Sequence, residues 1–193
     1  MSRIGLSVVF SMIIMALLMG GCATPPTSPA VAVNDPLRLG NPKAAFVVTI
    51  QTDHQPLRIG NSPQLSLRTT ANGYMNLYFI NPSEKTGQLL TNYPVQANET
   101  IAFPPTASKK LLYALTPPTG TETFILVITH QPLNLLSRRD ISNVKKPRTA
   151  IAEFNLSGSQ LINRLREALR RWPPAAWNAD SVQLPLIAPG VRS

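Results

Sequence analysis

The chain has 193 residues, 18 of them Lys or Arg against 9 Asp or Glu, giving a formal charge of +9, and 44% are hydrophobic. That length suits one domain of ordinary size with tails, and the lone cysteine excludes a disulfide within the monomer. Charged residues are sparse at 14% and prolines number 19, which argues against a helical protein and for strands joined by turns.

The first stretch reads as an address. Arg3 supplies a positive charge, and an apolar run follows through Val8, Val9, Phe10, Ile13, Ile14, Leu17 and Leu18. The run is short for a membrane-spanning helix, which needs roughly 20 residues. Ala23, Thr24, Pro25 and Pro26 follow, and proline cannot continue a helix because it lacks the amide donor. A positive start, a short apolar run and small residues before a cleavage point make a secretory signal, here residues 1–21. Leu18-Met19-Gly20-Gly21-Cys22 resembles the lipobox of bacterial lipoproteins, with Met19 a less usual occupant of the hydrophobic slot. The resemblance implies that the Cys22 thiol takes a diacylglycerol, that cleavage falls just before it, and that the new amine is acylated. One acyl chain holds only marginally, at about 0.8 kcal/mol per buried methylene, so several are needed for firm attachment. Ala23 stands where lipoproteins retained in the inner membrane of Gram-negative bacteria commonly carry aspartate. The same resemblance therefore implies lipid anchoring at the periplasmic face of the outer membrane. Residues 22–34, rich in Pro, Thr, Ser and Ala, read as a lipidated, semi-rigid tether.

Residues 35–135 read as strand after strand. Pro36-Leu37-Arg38-Leu39-Gly40-Asn41-Pro42 is echoed by Pro56-Leu57-Arg58-Ile59-Gly60-Asn61-Ser62, as two similar turns feeding two strands, Phe46–Thr52 and Gln64–Thr70. Asn72-Gly73 is a turn signal. In the strand that follows, Met75, Leu77 and Phe79 face one way and Tyr74, Asn76 and Tyr78 the other. Asn81–Gly87 reads as a loop, with further strands at Gln88–Thr91, Thr100–Phe103, Leu111–Leu115 and Thr123–Thr129. The unbroken run Phe124-Ile125-Leu126-Val127-Ile128 predicts a central strand covered on both faces. Short strands with turn signals between them predict a mainly β, Ig-like antiparallel β-sandwich.

Gly73-Tyr74, the loop ending in Gly87, Thr91-Asn92-Tyr93-Pro94, Phe103-Pro104 and Pro118-Thr119-Gly120-Thr121-Glu122 occur in an order that resembles a widespread bacterial domain of unknown function, over about residues 44–133. The resemblance implies a small β-sandwich module of the kind found in exported lipoproteins or appended to peptidases and kinases. It lends no established chemistry. The chain departs from the family at Thr91–Pro94, where a Phe-Pro-Asn order is lost. The motif residues read as structural, the glycines serving positive φ and the prolines ending strands.

Residues 136–193 read as a basic C-terminal extension. Thr149–Asn155 alternates as a strand, Ser157-Gly158-Ser159 offers an N-cap, and an amphipathic helix is predicted over residues 159–172, with Leu161, Ile162, Leu165, Ala168, Leu169 and Trp172 on one face. Pro173-Pro174 stops it, and Trp177 with Ser181–Ile187 returns as an edge strand.

Little chemistry is marked. His54 and His130 have no metal-ligand spacing with Asp53, and there is neither a nucleophile elbow nor a phosphate-binding glycine loop. No cofactor, metal or catalytic set is expected, and the chain reads as non-enzymatic, with an envelope hydrolase as the weakest alternative. Tyr74, Tyr78, Tyr93 and Tyr113 read as cross-strand packing before a sugar- or peptide-binding face. The best candidate for a partner or anionic surface is the basic region, with Arg138, Arg139, Lys145, Lys146, Arg148, Arg164, Arg170 and Arg171, together with Arg166. An exported basic protein meets anionic lipid, lipopolysaccharide or cell-wall polymer rather than nucleic acid. The expected role is a lipid-anchored, protein-interacting component of an envelope or secretion assembly. Binding of peptidoglycan or lipopolysaccharide through the basic region is the alternative.

Overall fold

The computed structural model describes residues 35–105, 113–134 and 151–189. The expected signal peptide and tether, Cys22, Arg138, Arg139, Lys145, Lys146 and Arg148 lie outside these residues, as do Leu111 and Leu112.

Two sheets face each other. The smaller has the order β1 (Val48–Gln51), β3 (Leu65–Thr69), β6 (Thr100–Phe103), all antiparallel. The larger has the order β2 (Leu57–Arg58), β9 (Trp177–Ile187), β7 (Gly120–Thr129), β4 (Gly73–Ile80), β5 (Thr86–Val95), β8 (Ala152–Phe154). It is antiparallel except where β2 runs parallel to β9. Among the described residues the molecule is thus mainly β, a β-sandwich with one α-helix late in the chain.

The two sheets differ because their sequences alternate differently. In β3, Leu65, Leu67 and Thr69 are buried while Ser66 and Arg68 are exposed, so this sheet has one wet face. In β7 every residue from Glu122 to Thr129 is buried. Its odd and even positions enter different cores. Phe124, Leu126 and Ile128 join Met75, Leu77, Phe79, Leu184 and Leu186 against Phe46, Ile50, Leu67 and Phe103, between the sheets. Ile125 and Val127 join Tyr78, Ile80 and Ala179 on the opposite face, beneath Leu161, Leu165 and Leu169 of the helix and Leu39 of the N-terminal segment. The run that predicted a doubly covered central strand is one, and the split of β4 into a Met75–Leu77–Phe79 face and a Tyr78 face holds.

The helix, α1 (Gly158–Leu169), forms where its first turn is satisfied. The Ser157 hydroxyl accepts the Gln160 amide and the Gln160 side chain accepts the Ser157 amide, a reciprocal capping box. Leu161, Leu165 and Leu169 recur every four residues and bury one stripe. The helix ends at Leu169 with Arg170 as its C-cap, three residues before the expected end, and Trp172 continues onto the same core without being helical. Trp177 packs partly there too.

Three sequence expectations need correction. The returning strand is internal to its sheet: β9 pairs with β7 from Gly120–Leu186 to Thr129–Trp177 and with β2 on its other side. Its inward polar residues explain why it reads as an edge. Asp180 accepts the Ile50 amide of β1 at 3.0 Å, and the Asn178 side chain donates to the Phe46 carbonyl, two residues before β1, at 2.6 Å, so both satisfy open backbone of the facing layer. The expected strand at Leu111–Leu115 is absent over its described part, residues 113–115. The echoed segments are not equivalent turns either, since the left-handed residue is Arg38 (φ 51°) in the first and Gly60 (φ 89°) in the second.

Candidate functional site

The basic residues of α1 and of the turn that follows it divide between two flanks. Positions four apart on a helix are neighbours, so Arg166 lies beside Arg170, while Glu167 lies beside Arg171 and binds it at 2.9 Å. Arg166 turns towards the N-terminal segment and donates to the Leu37 carbonyl at 2.9 Å. A small cleft of about 210 Å³ opens there, lined by Arg38, Arg166, Arg170, Leu39, Leu169 and Trp177. Of the predicted basic set, Arg170 therefore enters this cleft, Arg171 is held by Glu167, and Arg164 is exposed on the same helix. Arg38 completes the group from 132 positions away along the chain, and no local pattern could have marked it.

The segment carrying Arg38 is tied down by side chains. Asp35 accepts the Gly40 amide at 2.6 Å through one carboxylate oxygen and the Ser181 hydroxyl through the other. The Leu37 amide donates to the Ser181 hydroxyl at 3.3 Å, and the Asn41 amide to the Asn178 side chain at 2.9 Å. These bonds root residues 35–41 on β9, in the middle layer.

A second cleft, of about 430 Å³, lies at the β4–β5 turn among Asn81, Lys85, Phe79, Tyr113, Glu153 and Phe154. Behind Tyr113 is Glu122, fully buried on the inner face of β7. The Tyr113 hydroxyl donates to one Glu122 oxygen at 2.5 Å, and the other oxygen has no hydrogen-bond partner. Burial pushes the Glu122 carboxyl up to about 7, the tyrosine bond opposing this only in part. Burial and the neighbouring carboxylate together push the Tyr113 phenol well above its usual range. Sequence reading took Glu122 as a turn residue. The signal available was an acidic residue at the head of an otherwise apolar strand.

The remaining candidates are dispersed. His130 packs tilted against Phe46 with ring centroids 5.1 Å apart, while His54 lies in an open groove along the segment that enters and leaves β2. Among the described residues no group of three His, Cys, Asp or Glu is placed to hold a metal ion. Tyr78 enters the outer core, whereas Tyr93 and Tyr113 pack with the inner one, so the four tyrosines form no common face.

The glycines and turns of the sandwich carry the domain motif. Residues 56–132 match the family described as Domain of unknown function (DUF4384). No curated protein matches the chain. The DUF4384 stretch runs from β2 through β7, leaving β1, β8, α1 and β9 outside it. Of its motif glycines only Gly120 has positive φ (150°). Gly73 and Gly87 are required by space instead: a Cβ would lie 2.6 Å from the Thr129 carbonyl at the first and 2.4 Å from the Phe79 ring at the second. The departure at Thr91–Pro94 coincides with a bulge opposite Asn76. There the left-handed Asn92 (φ 46°) donates its amide to the Asn76 side chain at 3.0 Å and accepts the Leu133 amide at 2.8 Å.

Proposed function

We propose that this protein is a lipid-anchored lipoprotein at the periplasmic face of the outer membrane, whose β-sandwich serves non-enzymatically as an interaction component of an envelope or secretion assembly. The observation that carries this reading is the lone Cys22 at the end of a short apolar run, followed by a proline-rich segment. The rooting of residues 35–41 supports it. A domain held by its N-terminal tether must pass any pull into its core, and here Asp35, Leu37 and Asn41 are bonded to β9. The outer face of the small sheet, where Ser66 and Arg68 are exposed, offers a surface for a partner.

Metabolic labelling with a fatty acid tests the anchor: the parent chain takes label and partitions into membranes, and Cys22→Ser does neither. Cross-linking in envelope extracts followed by capture tests the partner, and failure to recover any protein under several cross-linkers counts against the assembly role. A second reading, binding of cell-wall polymer or lipopolysaccharide, is favoured by the grouping of Arg38, Arg166 and Arg170. Sedimentation with purified sacculi tests it, the prediction being that charge reversal at these arginines lowers the bound fraction.

A further inference from the structure

We propose that the corner formed by Arg38, Arg166 and Arg170 docks on the phosphate groups of an anionic lipid surface and so sets the orientation of the anchored sandwich. This rests on the lipid-anchor reading above and adds a site to it. Four observations carry it. Arg38, Arg166 and Arg170 come from two separate segments and line one cleft, Arg166 being held there by its bond to the Leu37 carbonyl, with Leu39, Leu169 and Trp177 supplying apolar walls. Arginine forms paired, planar hydrogen bonds to phosphate, which a point-charge lysine does not.

The acidic groups nearby are already engaged. Both Asp35 oxygens bond within the fold and Glu167 is paired with Arg171, so neither is turned to the arginines of the cleft. Size is the third point. At about 210 Å³ the cleft is smaller than the roughly 300–1,000 Å³ that encloses a drug-sized ligand. It suits a headgroup phosphate whose remainder lies outside, and not an enclosed disaccharide.

Position is the fourth. Arg38 is three residues from Asp35, where the described body begins, and the proline-rich stretch from Cys22 to Asp35 spans about 40 Å at most if fully extended as polyproline. The corner is therefore the part of the body nearest the anchor along the chain. A basic side chain contributes only within about one Debye length, some 8–10 Å, of a charged membrane. A tether rooted beside the arginines brings this corner back to the membrane more readily than a face farther along the chain from the anchor, and the charge of the corner then decides which face stays there.

The test uses the full lipidated chain reconstituted into vesicles. Trp172 and Trp177 are its only tryptophans, and Trp177 lines the cleft. Their fluorescence is read against lipid carrying a headgroup quencher, in phosphatidylcholine vesicles and in vesicles containing phosphatidylglycerol. Strong quenching is expected only with phosphatidylglycerol, and it should fade on raising salt from about 0.05 to 0.5 M. Arg38→Gln with Arg170→Gln should lower the docked-to-undocked ratio about 25-fold, at roughly fivefold per basic residue. Arg164→Gln with Arg171→Gln, on the other flank, should leave it near the parent value.

Equal quenching in both vesicle types, or equal loss from both double variants, overturns the proposal, as does a chain that prefers sacculi to anionic vesicles. The salt series on the unmodified chain keeps the test valid if a variant folds poorly. The anchor is judged separately by retention on neutral vesicles. Loss of that retention with salt-sensitive binding to anionic vesicles removes the anchor and supports the corner, and binding to neither removes both.

Discussion

Glu122 faces the space between the sheets opposite Leu184 of β9, with Tyr113 as the partner of one oxygen and none for the other. A carboxyl raised from 4.5 to about 7 is bound to its proton more tightly in the folded than in the unfolded chain. Its stabilising contribution is complete below about pH 4.5 and is lost as pH rises through 7, a span worth about 3 kcal/mol. Urea unfolding between pH 4.5 and 8 should therefore show stability falling with pH over this window. In Glu122→Gln that contribution to the slope should vanish, whatever the variant's absolute stability. Asp180 is also raised by burial, against the bonds it accepts from Ile50 and Ser181, so it adds a slope of the same sign that starts at the ordinary aspartate range. At Gly87 the limit is steric. Alanine there would place its Cβ 2.6 Å from the Ala152 carbonyl and 2.4 Å from the Phe79 ring. Gly87→Ala should cost about 1–3 kcal/mol in chemical denaturation. Sequence reading marked both residues as motif positions, and the physical role of each came from what the fold packs beside them.

Elements with a plain alternation were legible before the structure. β3, β4, β6 and β7 lie within a few residues of their expected spans because each presents an apolar side chain to a core at the right period. The helix was legible for the same reason, and its start is set by local chemistry. Leu165→Ala should cost about 2–5 kcal/mol, since Leu165 is fully buried between the helix and the sheet. Ser157→Ala should cost only about 1 kcal/mol, the usual worth of an N-cap. Thermal or urea unfolding that ranks these two the other way would remove the packing account of α1. β9 was the least legible element. Its Asn178 and Asp180 stand at inward positions where a core strand would carry apolar residues, and Pro185 interrupts its amides. Both polar residues are bonded to backbone of β1 or the segment just before it, which sequence spacing alone cannot reveal.

At the scale of the molecule, the DUF4384 stretch is completed from outside. All ten residues of β7 pair with β9, and the outer face of β7 lies in the core that holds Leu161, Leu165 and Leu169. A fragment of residues 35–134 would leave β7 as an open edge and expose Ile125 and Val127, a template for association. It should be aggregated or unfolded in size-exclusion chromatography, while residues 35–189 should elute as a folded monomer. A folded, soluble 35–134 fragment would show that β9 and α1 are accessory.

The amino-acid order by itself determined the β character, the doubly covered Phe124–Ile128 strand, the capped helix and the basic composition, because each follows from a local period, a turn residue or a count. Tertiary structure alone decided that a strand from the basic C-terminal stretch lies inside the larger sheet and that Glu122 is buried against Tyr113. It alone brought Arg38 to Arg166 and Arg170. These depend on which segments meet across more than a hundred residues, and the energies that choose them, shared cores and side-chain bonds to distant backbone, leave no periodic trace in either partner.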